Sequence, residues 1–327
     1  MSDKIPRNKA CDVLGGRVWP RENRRMQSTA FIVFHSAATP CAEPAGLRRT
    51  LAAAGHAVIM EQSFERAGRN GARWEVTGTV RQLRALVNPL DNLLARSEDL
   101  ELRTSAIAVV PAALVRAKKL LLVMDVDSTL IKQEVIELLA AHAGREAEVA
   151  AVTEAAMRGE LDFAASLHAR VATLAGLDAE VIDAVRGRLE LSDGAAELIA
   201  AFKAAGHHVA VVSGGFAQIL DPLAAELGLD FARANDLVIV DGKLTGMVNG
   251  QVVDRAYKEV MLRTWARELG VDMEHTIAAG DGANDLDMVG AAGLGVAFNA
   301  KPLLREAADA RIDLPRLDII ADLVGIS

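Results

Sequence analysis

Asp125 and Asp127 stand two residues apart at the end of the apolar run Leu120-Leu121-Leu122-Val123-Met124. A short buried strand that ends in two carboxylates suggests chemistry. Open α/β sheets bind their ligands in the crevice outside the carboxyl ends of the strands. Two acids side by side there repel each other unless a cation or a shared proton relieves them. Three further groups suit the same crevice. Ser213-Gly214-Gly215 follows the apolar run 208–212, Lys258 opens a helical stretch, and Gly280-Asp281-Gly282-Ala283-Asn284-Asp285 follows the run 276–279. A hydroxyl with free N–H groups ahead of a helix can hold an anion. A lysine in a first helical turn opposes the helix dipole, and a bound anion would favour it there. Asp281 and Asp285, four apart, can share a helix face, and Gly280 and Gly282 let a ligand approach the backbone.

Each group alone has a plainer explanation, such as a turn, a solvated lysine or a dipole-matched acid. The ordered set has none, and it resembles that of the haloacid dehalogenase superfamily, which implies phosphoryl transfer, a chemistry that asks mainly for positioning and charge neutralisation. Asp125 is the candidate nucleophile. Asp127 can protonate a leaving alkoxide and then activate water. Asp281 is the candidate metal ligand, with oxygen donors suited to Mg²⁺. Asp285 is expected to orient it, Asn284 to reach substrate or phosphate, and Thr129 to brace the loop by side-chain to backbone hydrogen bonding.

The elements that must position these residues follow from periodicity. Runs at 120–125, 208–212, 276–280 and 293–297 are continuous and apolar, as in parallel strands buried on both faces. Helices predicted at 195–205, 217–227, 256–269 and 283–292 alternate with them, which defines a doubly wound parallel α/β sheet over 116–327. Segments 238–240 and 244–248 form a predicted hairpin around Asp241-Gly242. Between about 134 and 193 the strand pattern gives way to helices at 136–143, 146–157, 163–174 and 179–188, expected to form a cap over the site that excludes water. Residues 28–112 read as strand 31–35, helix 42–54, strands 57–64 and 73–77 around a turn at 68–71, helix 80–96 bent at Pro89, and strand 100–108. That is the α+β ferredoxin-like plan. The α/β unit, with its own core and cap, is expected to fold and keep its activity in a chain beginning near Val115. Residues 1–27, basic and without an apolar h-region, are expected to form a disordered tail.

The chain has 327 residues, 51% of them apolar, and a net charge of −8. The charge argues against nucleic acid or an anionic membrane as main partner. No apolar run approaches a membrane span. Cys11 and Cys41 give no disulfide framework, which suits a cytoplasmic protein.

The ordered motifs resemble the haloacid dehalogenase (HAD-like, Rossmannoid) superfamily of phosphotransferases, and within it the phosphoserine phosphatases, over most of 119–305. The resemblance implies a Mg²⁺-dependent hydrolase that converts O-phospho-L-serine to L-serine and phosphate through a phosphoaspartate, the last step of serine synthesis. It implies metal ligation by Asp125, Asp281 and the Asp127 backbone carbonyl, and phosphate binding by Ser213, Gly214 and Lys258. Glu134 then meets the substrate ammonium and Arg170 its carboxylate, with Met157 and Phe163 shielding the site. Another small phosphomonoester, such as phosphothreonine or phosphohomoserine, is the alternative substrate. A serine-binding regulatory protein without catalysis is the alternative of another class. The first unit resembles the small-molecule-sensing (ACT-like) domains of biosynthetic enzymes. It is equally compatible with a dimerising appendage, and so with a homodimer.

Overall fold

The computed structural model describes residues 29–36, 46–99, 103, 105–157 and 162–326, with the side chains of 154–157 excepted. The expected tail at 1–27 lies outside them. The first sheet is antiparallel, ordered β2-β3-β1-β4, with β1 at Thr29–Ser36, β2 at Val58–Arg66, β3 at Arg69–Thr77 and β4 at Ala106–Pro111. Helices Leu47–Ala53 and Val80–Ala95 accompany it, the second running through Pro89 and started by a Thr79–Gln82 capping box. Of the strand predicted at 100–108, residues 100–102 and 104 lie outside the described residues, and β4 covers Ala106–Pro111, buried along 106–110. The turn is tighter than predicted, at Ala67-Gly68.

Residues along β1 alternate between two cores. Ala30, Ile32 and Phe34 join the sheet's own helices around Leu47, Leu51, Leu83 and Val87. Phe31 and Val33, with Ala108 and Val110 of β4, belong to one apolar cluster with Leu122, Ile320 and Leu323 of the second unit. The expectation of an independent core therefore fails on this face. Charges tighten the same junction. Arg69 on β3 is buried and bonds Asp318 and Asp322, Arg66 pairs with Asp322, and Arg311 pairs with Asp91.

The second sheet is ordered β11-β10-β9-β5-β6-β7-β8. Its strands are β5 Leu121–Met124, β6 His208–Phe216, β7 Phe231–Val240, β8 Lys243–Asn249, β9 Thr276–Gly280, β10 Leu294–Phe298 and β11 Ala310–Ile312. All pairs are parallel except the β7–β8 hairpin, which turns on Asp241 and Gly242, both at positive φ. The central strand β5 is fully buried between β6 and β9. The chain leaves β5 toward β6 and returns later to β9 on the other side, so a topological switch point opens at the end of β5. Helices Val135–Ala143, Glu146–Met157, Phe163–Ala172 and Val181–Arg186 follow β5 directly. The helix predicted at 283–292 starts as a 3-10 turn, Ala283–Asp285, and becomes α-helical at Leu286–Ala291.

Candidate active site

The three loops after β5, β6 and β9 converge. Asp125 continues β5, its N–H donating to Ala279 O at 2.9 Å. The chain then coils through Val126–Leu130, with Ser128 at φ 56°. This tight coil turns Asp127 back, so that its Oδ1 accepts from Val135 N at 2.7 Å and its Oδ2 from the Ser213 hydroxyl at 2.9 Å. Ser213-Gly214-Gly215 lies between the apolar run 208–212 and a helix, as the sequence predicts. It is a bulged extension of β6 that leads into the helix Ala217–Leu227. Gly215 donates to Ser213 Oγ at 2.7 Å, and a Cβ there would come within 3.0 Å of Asp127 Oδ2. A Cβ on Gly214 would press on Phe163 at 3.1 Å. Glycine thus suits these two positions, where an added Cβ would push Phe163 or Asp127 aside.

Lys258 lies in the helix Arg255–Leu269, capped by Asp254, and is fully buried. Its ammonium contacts Asp125 Oδ1 and Asp285 Oδ1, both at 2.7 Å. Burial alone would lower its pKa, but Asp125 and Asp285 outweigh it and hold the pKa above the ordinary 10.5. Asp285 Oδ2 accepts from Gly282 N at 3.1 Å, so its two oxygens are both engaged. A Cβ on Gly280 would overlap this carboxyl, at 2.3 Å. Asn284 Nδ2 approaches Asp125 Oδ2 at 3.5 Å.

Asp125, Asp281 and Asp285 bring carboxylate oxygens within 4.8 Å of one another. All three are buried and Lys258 is the buried cation among them, so the cluster keeps surplus negative charge. Burial first, and Asp285 second, raise the Asp125 carboxyl well above its ordinary range and the Asp281 carboxyl to about 6. Hard oxygen donors with uncompensated charge fit a divalent cation. Asp127 contributes no side-chain oxygen to this group, since both of its oxygens are occupied. Its own carboxyl is raised to about 6, by burial and then by Glu134.

A cavity of about 420 Å³ opens above these residues. Asp125, Asp127, Gly214, Asp281 and Asn284 line it from the sheet's loops, and Glu134, Phe163 and Arg170 from the helices inserted after β5. Glu134 Oε1 accepts from Ser128 Oγ at 2.8 Å, and Arg170 Nε donates to Ser166 O at 3.3 Å. Burial lowers the Arg170 pKa, against the pull of Glu134 and Asp127. Ser213, Lys258 and Asp285 sit beneath the floor rather than in the wall. Met157 ends its helix, and its side chain lies outside the described residues. Thr129 departs from expectation. Its hydroxyl is buried with no hydrogen-bond partner among the described residues, and the bracing bond comes instead from Ser192 Oγ to Thr129 O at 2.6 Å. A larger cavity, about 910 Å³, lies between helices Val80–Ala95 and Pro302–Ala307 and contains none of the predicted site residues.

Two functional positions escape sequence reasoning. Asn235 holds the β6 loop, donating to Gly214 O and accepting from Val253 N, each at 2.8 Å. Lys301 lines the cavity mouth 3.8 Å from Asp281 Oδ2. Only its place just past the carboxyl end of β10 could have drawn attention to it.

The parallel sheet, the helices inserted after β5 and the lysine-bridged acids define a class of protein: the chain belongs to the haloacid dehalogenase-like hydrolases, whose family model matches residues 122–289. Its curated relatives are narrower in kind. A phosphoserine phosphatase of Streptomyces coelicolor is 62% identical over 221 residues, which are 68% of this chain and 54% of the relative. One of Streptococcus thermophilus is 49% identical over 63% of this chain and 97% of its own length. This chain thus spans about half the length of the first and nearly all of the second. Among solved structures, a HAD family hydrolase of Salmonella enterica serovar Typhi aligns over 90% of this chain and 98% of its own, with TM-score 0.76 and 28% identity. A phospho-aspartyl intermediate analogue and a substrate-bound complex of phosphoserine phosphatase, 44% and 43% identical, each align with TM-score 0.60 over 63% of this chain and 99% of theirs. Among the described residues, no helix is long and apolar enough to cross a membrane.

Proposed function

We propose that this chain is a Mg²⁺-dependent phosphomonoesterase that hydrolyses O-phospho-L-serine to L-serine and phosphate. The observation that carries the reading is one cavity with three chemistries on its walls. Asp125 lies over the Lys258–Asp285 pair, Asp127 has a pKa of about 6, and Glu134 and Arg170 face them from the cap. Asp125 and Asp281 would hold the cation, which when bound neutralises charge on the phosphoryl oxygens. Asp125 Oδ2 forms the new bond to phosphorus as the bond to the serine oxygen breaks, and Asp127 gives that oxygen its proton. Water then attacks the phosphorus of the phosphoaspartate, Asp127 takes the proton back, and phosphate leaves with Asp125 restored. A carboxyl poised near pH 6 can serve in both directions.

Arg170 can take the substrate carboxylate bidentately, and Glu134 the ammonium. An amino-acid phosphate fits these opposed charges better than a generic phosphomonoester does. The substrate-bound and intermediate-analogue phosphoserine phosphatase structures support the same reading. We also take 28–112 as an ACT-like unit, 116–327 as the phosphatase unit and 134–193 as its cap. The reading implies a cytoplasmic enzyme of serine synthesis. Phosphate release from a panel of small phosphomonoesters, with and without Mg²⁺, tests it. O-phospho-L-serine should be preferred and Mg²⁺ required. Release unaffected by exhaustive chelation, or equal on all substrates, would refute it.

A further inference from the structure

Among the described residues, three cations stand at this site, and one of them is loosely held. Lys258 is fixed between two carboxylates beneath the floor, and Arg170 is half-buried on the helical side. Lys301 is different. Its side chain is 66% exposed at the cavity mouth, and its ammonium lies 3.8 Å from Asp281 Oδ2.

Its main chain, by contrast, is tied down. Lys301 N donates to Asp281 O at 2.8 Å, and Arg305 N donates to Lys301 O at 3.1 Å. Asn299, at φ 44°, donates from its N–H to Ile312 O at 2.8 Å, and Pro302 starts the next helix. The fold therefore fixes where the side chain starts and leaves its charged end free to move. Only the lysine end of this pair is exposed, but at 3.8 Å the contact is long and the ammonium stays solvated, so it can leave at small cost. Asp281 is the carboxylate that faces both this ammonium and the cavity, whereas Asp285 is saturated from below.

We propose that Lys301 is a positioning residue that occupies Asp281 while the metal position is empty, yields that carboxylate to the divalent cation, and then faces the entering phosphate dianion from the cavity mouth. This rests on the metal-dependent phosphatase reading. The reason is electrostatic. An ammonium and a divalent cation repel when they share one carboxylate, so each weakens the other's hold on it. A displaced ammonium on a fixed main chain stays within side-chain reach of the mouth, where it raises the local concentration of an anionic substrate.

The consequences run in opposite directions. Removing the charge should tighten metal binding and weaken substrate capture, whereas loss of a purely structural residue would weaken both. The test is titration of metal-free protein with Mn²⁺, followed by its paramagnetic resonance signal, alongside the KM for O-phospho-L-serine at low and high salt. Lys301→Met should bind Mn²⁺ about three- to tenfold more tightly, raise KM and flatten its salt dependence. Lys301→Arg should restore wild-type values. Unchanged or weaker Mn²⁺ binding in Lys301→Met, with normal binding in wild type, would overturn this inference alone. A wild-type protein that binds no Mn²⁺ would overturn the metal reading and this inference with it.

Discussion

Replacing Lys258 by Met tests the lysine bridge as a structural as well as a catalytic device. Lys258 is fully buried and contacts Asp125 and Asp285, which are buried themselves. Methionine can occupy most of the space of the aliphatic stem, so the change mainly removes the charge. Breaking a buried ion pair from one side costs about 3–5 kcal/mol, because the partner charge is left uncompensated. That is a large part of the roughly 5–15 kcal/mol that stabilises a typical domain. The Lys258 pKa is held above 10.5, so its contribution is complete at pH 7 and is lost only as pH rises through the folded value. The raised acids oppose folding at pH 7 rather than support it, with the same pH direction. Asp281 is already raised from 3.8 to about 6, so the folded state binds more protons than the unfolded one between those values, and stability falls as pH rises through them. Asp125, already raised by burial, should rise further once Lys258 no longer offsets it. The deficit of Lys258→Met should therefore be largest at pH 7–8 and shrink toward pH 5. Urea unfolding of metal-free protein, monitored by exchange protection of β5 and β9 amides, assigns the loss to the seven-stranded sheet. A deficit below about 1 kcal/mol at pH 7, or one independent of pH, would refute the reasoning.

Other outcomes follow from the same geometry. Asp127→Asn should lower kcat by about 10²–10⁴-fold, since it removes a proton donor and acceptor; steady-state rates within a few-fold of wild type would remove it from that role. Arg170→Met and Glu134→Gln should each hurt O-phospho-L-serine far more than an aryl phosphate, by about 2–5 kcal/mol in kcat/KM if the lost contact is buried; equal losses on both substrates would mean that these side chains support structure only. A chain beginning at Val115 should be markedly less stable than the full chain in urea, because it strips Arg66 and Arg69 from Asp318 and Asp322 and bares the cluster that holds Phe31 and Val33. An unchanged midpoint would show that the junction contributes little.

What the sequence discloses here depends on whether the signal is local. The run Leu120–Met124 and the acids after it mark β5 because a strand buried on both faces needs an unbroken apolar stretch. The helix before Gly270 ends where a glycine can take the left-handed cap, at φ 63°. The grouping of Asp125, Asp281 and Lys258 was legible because each follows, or closely follows, a recognisable element. Features made by distant pairing were not. The strand β11 is three residues with Arg311 in the middle, which no propensity would favour, and Asp91 and Asp313 neutralise that arginine from outside the strand. The shared core is invisible for a related reason. Alternate residues of β1 are all apolar, and sequence cannot say that one face meets its own helices and the other a second sheet. Thr129 shows the limit at one residue, since the bond bracing its loop comes from Ser192, 63 positions away.

The central claim is that Asp125 carries the phosphoryl group of O-phospho-L-serine during turnover. Rapid acid quenching of the enzyme with Mg²⁺ and substrate radiolabelled at phosphorus, followed by peptide mapping, tests it most directly. The account predicts label on the peptide containing Asp125, and none in Asp125→Asn, which should also release no phosphate. Label on another residue, or steady phosphate release by Asp125→Asn, would contradict it.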